Sequence, residues 1–493
     1  MMSSNSPTPT QKQTLLIVGA GIAGPTLSLT ILTHPLLSTL YTPLLFDRLP
    51  STPTATGAAV ILSPNALHPL FQLGLQPSIL THSQEALSIT MWRSKSPATA
   101  PGRRLNGITN PAFAPDLATG LRAIERSTLS RLLLEQVVAH GGEVIWDAKV
   151  TGYAQTPEGV EVLLEDGSRR SGHMLVGADG GWSCIRKQLM GGDGADWKPA
   201  FAGASAVYGI ARQPKGADGE GEEDVAGRGH AVLLDVGGVA TWALPGGKVF
   251  WSVSVAEAAP PEGKAVTEVE GEYGVVNTGG YSLESTEEIL QRYEKLWFPT
   301  VGECGDLFKN SERIVRAPLW QRVYDEKDIA NLSTAGNVVL IGDAARIMVP
   351  TSGQGACMSI EDATVLANAL LNNTSTTAPE LKPTYSAALS EYVHERLPRS
   401  KAIARQAWWM GVAFMARNWW WRCVRDWVVR WVPMDREGGK GACAKRCVGV
   451  GAGAGGNGGE EVKEEKVAGP GAGGWLHGVR LGVEVRGVGE CGV

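Results

Sequence analysis

A chain of 493 residues exceeds what one hydrophobic core organises and predicts two domains with additions. Its composition is that of an ordinary globular protein, and a formal net charge of -5 leaves no basic footprint for nucleic acid. Seven scattered cysteines, an odd number without clustering, argue against a disulfide framework and for a reduced intracellular compartment, so a cytoplasmic protein is expected. Residues 1–13 are polar and rich in Ser, Thr and Pro; disorder is expected there, not a signal peptide. No apolar run is long enough to span a bilayer.

In chain order, residues 14–18 form an apolar run that stops at Gly19 and reads as a buried parallel strand. A helical pattern follows over 23–32, with Pro25 in the first turn, where its missing N–H costs little. A second run, 44–46, ends at Asp47 and completes a β-α-β unit. Residues 126–138 read as a helix with Leu129, Leu132, Leu133 and Val137 on one face. Strands are expected at 143–145, 159–164 and 174–176, and 201–255 is strand-rich apart from a charged loop, 216–229, expected to be exposed. Buried-strand character returns at 338–341 and helical character at 360–371. This order predicts an α/β fold: a nucleotide-binding domain from two segments, 14–200 and 326–400, around an inserted β-rich domain, 201–325.

Beyond Lys401 the chain changes. Seven tryptophans (Trp408, Trp409, Trp419, Trp420, Trp421, Trp427, Trp431) share 401–434 with Arg405, Arg417, Arg422, Arg425 and Arg430. The mixture fits a helical hairpin packed on the body and also an interfacial membrane helix, while the arginines exclude a simple spanning one. Residues 435–493 are Gly-rich and expected to be disordered.

The residues 19–24, Gly-Ala-Gly-Ile-Ala-Gly, match the dinucleotide turn G-x-G-x-x-G. Gly19 permits the tight turn, Gly21 admits a pyrophosphate close to the backbone, and Gly24 allows helix and strand to pack. The helix N-terminus then offers N–H groups to phosphate, and Asp47 stands where an acid binds a ribose hydroxyl. The pattern alone is weak: it recurs at 451–456 and 469–474, there without strand or amphipathic helix.

Two later motifs discriminate between dinucleotides. The run 175–183 is a buried strand ending in Asp179-Gly180, with Arg186 on the next turn. The run 338–345 ends in Gly342-Asp343 and continues through Pro350, the loop Gly353-Gln354-Gly355-Ala356 and Glu361-Asp362-Ala363. A carboxylate at the end of such a strand can accept from a sugar or ribityl hydroxyl, although a lone Asp is more often an N-cap. The helix opened by Gly353 to Ala356 can stabilise negative charge.

Together the three motifs resemble the flavoprotein hydroxylases typified by para-hydroxybenzoate hydroxylase, over roughly residues 12 to 405, in the flavour of fungal secondary-metabolism and salicylate-hydroxylase-like enzymes. The resemblance implies a Rossmann-like FAD-binding domain with an inserted β-rich substrate domain and a helical C-terminal region. It implies that Gly19, Gly21, Gly24 and Asp47 hold the ADP half of FAD, that Ala58 or Ala59 lies near the flavin, and that Arg126 reaches FAD. Asp343 and Ala356 would hold the ribityl and flavin regions, and Asp179 would serve FAD and the nicotinamide co-substrate. Without the family, Arg126 reads as a surface arginine on a helix. Pro350 is expected to shape the flavin's oxygen side. The substrate-side tyrosine of some fungal phenol hydroxylases has no clear match; Tyr208 is the nearest candidate and otherwise reads as a strand tyrosine. Arg346 stands where the family often has His.

The implied activity is insertion of one oxygen atom from O2 into an aromatic or polyketide-type secondary metabolite through a flavin C4a-hydroperoxide, with NADPH or NADH as transient reductant and no metal. Epoxidation of a polyene or terpenoid alkene is the close alternative, and a non-oxygenating FAD oxidoreductase or an FAD-binding protein without enzymatic activity is the more distant one. Expected partners are a small apolar or aromatic substrate and O2, with a peripheral contact to an intracellular membrane through 401–434; the sequence does not specify an oligomeric state.

Overall fold

The computed structural model describes residues 12–52, 58–94, 102–194, 196–212, 227–263, 273–277, 279–299, 301–323, 336–374 and 385–431. The N-terminal eleven residues, most of the charged loop and the Gly-rich 435–493 with both of its glycine repeats lie outside them.

The organising layer is a five-stranded parallel sheet. Its order is Val338–Leu340, Met174–Gly177, Gln13–Val18, Tyr41–Phe46 and Glu143–Ile145. Every neighbouring pair is parallel, with Leu15 opposite Met174 and Leu175 opposite Val338. Leu15, Leu16, Ile17, Leu175, Val176 and Leu340 are fully buried, as a parallel sheet covered on both faces requires. The helices Ala23–Thr33, Arg126–Ala139 and Gly355–Asn372 cover it. The apolar face of Arg126–Ala139 is the one the spacing predicts, with Leu129, Leu132, Leu133 and Val137 all buried.

A second layer is an eight-stranded sheet, ordered Val275–Asn277, Ser311–Gln321, Ala200–Arg212, Lys248–Ala256, Gly238–Leu244, Arg228–Leu233, Ser88–Arg93 and Arg103–Thr109. Two of these strands, Ser88–Arg93 and Arg103–Thr109, come from the segment that the sequence assigns to the nucleotide unit. They carry no clean apolar alternation, and Arg93 and Asn106 on them meet the charged side of a helix from the far end of the chain.

That helix belongs to the C-terminal region. Tyr385–Met415 runs for 31 residues across position 400, where the sequence reading placed a break, and keeps Pro398 inside it. Trp419–Trp431 follows. No helix among the described residues is long and apolar enough to cross a membrane.

Candidate functional site

Because the five strands are parallel, their carboxyl ends lie along one edge, and each motif follows one of those ends. Val18 leads to Gly19, Phe46 to Asp47, Gly177 to Asp179 and Leu340 to Gly342-Asp343. Backbone bonds lock these ends together: Gly19 N–H donates to Phe46 O (2.8 Å), Ala178 N–H to Val18 O (2.8 Å) and Ile341 N–H to Gly177 O (2.9 Å). Motifs separated by more than 300 residues thus share one rim, the edge where open α/β sheets bind ligands.

The turn is built by close approach. Gly19 has φ +111°, and a Cβ there would lie 2.3 Å from Ala178 O. At Gly24 a Cβ would lie 2.1 Å from Gly19 O. Gly21 is the opposite case, with no atom within 4 Å of a Cβ, so its outer side is open. Asp47 braces the turn: its Oδ2 accepts the Ala20 N–H (2.8 Å) and its Oδ1 the Leu49 N–H (2.9 Å). Two acceptor sites are used, and lone pairs remain for a hydroxyl. Helix Ala23–Thr33 has no side-chain cap, so its first N–H groups face the open side of Gly21.

Asp179 Oδ2 accepts from Cys184 N–H (2.8 Å), while its Oδ1 is buried with no partner among the described residues. An orphaned acceptor of this kind costs about 1–3 kcal/mol unless a donor reaches it. Asp343 occupies the short helix Gly342–Ala345; it is accessible although protein surrounds it, as at the floor of a cleft. That surround raises its pKa from the carboxylate range, and the Arg126, Arg346 and Arg186 guanidiniums oppose the rise.

Arg126 is exposed, as the surface reading has it, and opens its helix beside this edge. Its N–H donates to Ala58 O (3.0 Å), which ties it to the strand Ala59–Leu62, and its charge acts on both Asp343 and Tyr208. Tyr208 lies on Ala200–Arg212 with its ring 6.2 Å from Phe250. Burial raises the pKa of its phenol, against the pull of Arg126 and Arg313. The Gly353 loop packs over Ile61, and Gly355–Asn372 starts with an uncapped N-terminus at Gly355-Ala356. Ala58, Ala59, Arg126, Asp343, Ala356 and Tyr208 so form one neighbourhood. Pro350 is exposed and placed by a different element: Thr351 beside it donates to Ala407 O on the long helix.

The sequence shows Arg186, Arg346, Glu361 and Asp362 as motif residues without a structural job, and Arg396, Arg399 and Asn65 went unread. Arg186 is fully buried and donates to Trp197 O (3.0 Å), Ala344 O (2.8 Å) and Gly181 O, stapling the Asp179 turn to the Asp343 turn. Arg346, where the family often has His, is buried and paired with Asp362, which offsets part of its charge at the site. Asp362 also accepts from Gly342 N–H (2.9 Å) and Arg396 Nε (2.7 Å), while Glu361 takes Arg396 Nη1 (2.6 Å), Arg399 Nε (2.6 Å) and Asn65 Nδ2 (2.5 Å). Two adjacent acids in an apolar helix, with arginines three apart on the next, were the available signal.

The groups present fit FAD. An open glycine backbone, two uncapped helix N-termini, an orphaned carboxylate oxygen and an accessible deep carboxylate match pyrophosphate, ribityl hydroxyls and an electron-poor ring. Similarity agrees with the geometry. The family described as the FAD binding domain matches residues 12–195 and 310–407. The chain is 26% identical over 426 residues to an aurachin C monooxygenase/isomerase of Stigmatella aurantiaca, covering 86% of this chain and 95% of that protein. It is also 26% identical over 402 residues to the FAD-dependent monooxygenase pynG of Aspergillus niger, covering 77% of this chain and 84% of that one. Its fold matches HpxO of Klebsiella pneumoniae, solved with FAD and uric acid, at a TM-score of 0.63 and 18% identity, over 87% of this chain and 95% of that one. With the family spanning more than half of its length and its relatives matched nearly end to end, the chain belongs to the FAD-binding-domain family of FAD-dependent monooxygenases.

Proposed function

We propose that this monooxygenase inserts one oxygen atom from O2 into an apolar aromatic or polyketide-type metabolite, with NADPH or NADH as reductant. The observation that carries the reading is the convergence of Gly19, Asp47, Asp179 and Asp343 on one sheet edge, where Asp179 Oδ1 is buried without a partner among the described residues. The eight-stranded sheet, which carries Tyr208, would be the substrate layer.

Bound FAD supplies the two-electron chemistry that couples a nicotinamide reductant and O2 to oxygen-atom transfer. The chain's own residues bind and orient. Gly19, Gly21, Gly24 and the Ala23–Thr33 N-terminus would take the pyrophosphate, and Asp47 a ribose hydroxyl. Asp343 would accept from ribityl hydroxyls, and Asp179 Oδ1 would gain its missing donor from FAD or the nicotinamide co-substrate. The Gly355–Asn372 N-terminus, with Ala356, would hold negative charge on the reduced ring. Pro350 and Tyr208 would wall the reacting side and keep water out.

An open groove whose lining includes Asp196, Lys198, Phe201, Arg322, Lys401 and Arg405 carries four cations against one acid, which suits an anionic co-substrate. It joins the Asp179 turn through edge-to-face rings, Trp182 to Trp320 at 5.2 Å and Trp320 to Phe201 at 5.5 Å. A peripheral contact of 401–434 with a membrane belongs to the same reading, since apolar substrates partition into lipid.

Turnover in isotope-labelled O2 with a panel of phenolic and polyketide substrates tests the proposal. One labelled oxygen atom should appear in product, with NAD(P)H consumption stimulated by substrate. Label in an epoxide would move the reading to an alkene substrate. Reducing equivalents recovered wholly as hydrogen peroxide, across the panel, would reject oxygen insertion.

A further inference from the structure

An amphipathic helix on a globular protein normally turns its apolar stripe to the core. Trp419–Trp431 does the reverse. Its charged side faces the eight-stranded sheet: Arg425, the helix's one buried residue, donates to Leu234 O (3.0 Å), and Asp426 accepts from Arg93 Nε (2.9 Å). Arg422 pairs with Asp235 (3.0 Å), and Asn106 donates to Val429 O (2.8 Å). The opposite side carries Trp420, Val424, Trp427, Val428 and Trp431, whose spacing of i, i+4, i+7, i+8 and i+11 forms one stripe. All five are exposed, Trp427 and Trp431 to 64%. Trp409, on the preceding helix, is 58% exposed.

The charge of this region differs from that of the rest of the chain. Residues 401–431 hold six cations, Lys401, Arg405, Arg417, Arg422, Arg425 and Arg430, against one acid, Asp426, hence a net charge of +5 in a chain of -5. Asp426 is turned inward onto Arg93, and Arg417, Arg422 and Arg425 are bonded to the body, which leaves Arg430 as the cation exposed beside the stripe. Exposed tryptophan beside arginine is the composition that settles at a lipid headgroup layer.

We infer that Trp419–Trp431 lies in the plane of an anionic lipid surface, with Trp420, Trp427 and Trp431 inserted among the headgroups and Arg430 on a lipid phosphate. Docking through the charged face fixes the enzyme's orientation and leaves the apolar stripe for the bilayer. The inference rests on the peripheral-contact reading above and is independent of the oxygen chemistry.

The experiment is co-sedimentation of the full chain, loaded with FAD, with vesicles of phosphatidylcholine alone or mixed with phosphatidylserine, read also by the blue shift of tryptophan emission. The comparison variant is W420S/W427S/W431S, whose changes touch exposed positions only. Wild type should bind the mixed vesicles, lose binding as salt rises, and bind at least about tenfold more tightly than the variant. Wild type left in the supernatant at low salt, or a variant that binds as well as wild type, overturns the inference. So does a salt-resistant dimer that the variant abolishes, which would make the stripe an interface between copies. Substrate-stimulated NAD(P)H oxidation without vesicles should be equal in both proteins; an inactive wild type that still binds vesicles would reject the oxygenase reading alone.

Discussion

The helix Ala23–Thr33 buries nine of its eleven residues, whereas Trp419–Trp431 buries one of thirteen. The first is enclosed at the sheet edge, and its threonines bond within the helix, Thr26 Oγ1 to Ile22 O (2.7 Å) and Thr30 Oγ1 to Thr26 O (2.8 Å), while the buried Ser28 hydroxyl has no partner among the described residues. The second is held from outside by ion pairs to Arg93 and Asp235. Burial makes the first helix intolerant of a single added methyl at the wrong glycine. Exposure makes the second tolerant of most single changes, because screened ion pairs are individually weak. The sheet edge is also underpinned by the buried set Arg346, Glu361, Asp362, Arg396 and Arg399, where a charge without its partner has no water to turn to.

The largest effect should come from that buried set. Arg396→Met leaves Glu361 and Asp362 short of their shared cation and should cost about 3–5 kcal/mol in urea denaturation of the full chain. A cost below about 1 kcal/mol would show that the set does not secure the cofactor edge. The same set predicts acid sensitivity. Burial would raise the pKa of Glu361, but the Arg399 hydrogen bond and the charges of Arg396 and Arg399 outweigh it and hold it below the usual carboxylate range. Its stabilising contribution is complete above the unfolded-state pKa and is lost as pH falls through the lower folded value. Glu361→Gln should flatten stability against pH in that acid window, and an unchanged slope would contradict the assignment.

Asp47→Asn comes next. Both carboxylate oxygens accept backbone N–H groups, so one must face an amide donor after the change. Hydrogen bonds to a charged group contribute about 1.5–3 kcal/mol, so FAD affinity should fall by about tenfold or more in a fluorescence titration. The two inner glycines then separate space from strain. Gly24→Ala should lower stability and flavin content together, since about 1–3 kcal/mol of overpacking against Gly19 O exceeds the helix-propensity gain of about 1 kcal/mol. Gly21→Ala meets nothing within 4 Å, so melting of the flavin-free protein should hold steady while FAD binding weakens. Equal melting losses in both variants would remove the distinction.

What was legible in the sequence follows the range of the forces involved. The run from Gly19 to Asp47 could be read because turn, helix and strand are local and each glycine has a local reason. Asp179 and Asp343 could be read as strand-end acids, but their adjacency depends on sheet order, Val338–Leu340 beside Met174–Gly177. Arg126 reads as a surface residue and is exposed, and its backbone bond to Ala58 O depends on a strand more than sixty positions earlier. Arg186 was visible as a motif residue, yet its job as a staple appears only once three carbonyls converge on it. The strands Ser88–Arg93 and Arg103–Thr109 escaped because Arg93 and Asn106 serve a helix more than 300 positions later. Periodicity also gave the Trp helix two faces without saying which one the protein keeps.

The smallest expected effect tests that last point. Arg422→Gln removes one ion pair to Asp235, in which both partners are partly exposed. Such pairs contribute about 0.2–1 kcal/mol, so denaturation midpoints should barely move and should move less at high salt. The helix should stay attached, because Arg425 still reaches Leu234 O and Asp426 still holds Arg93. Limited proteolysis between Met415 and Trp419 reads attachment directly. Faster cleavage in Arg422→Gln would mean that the exposed pair carries the docking. Unchanged cleavage, with acceleration in Arg93→Gln, would place the hold at the two-acid contact of Arg93, the point where a strand from the first quarter of the chain grips the charged side of the Trp helix.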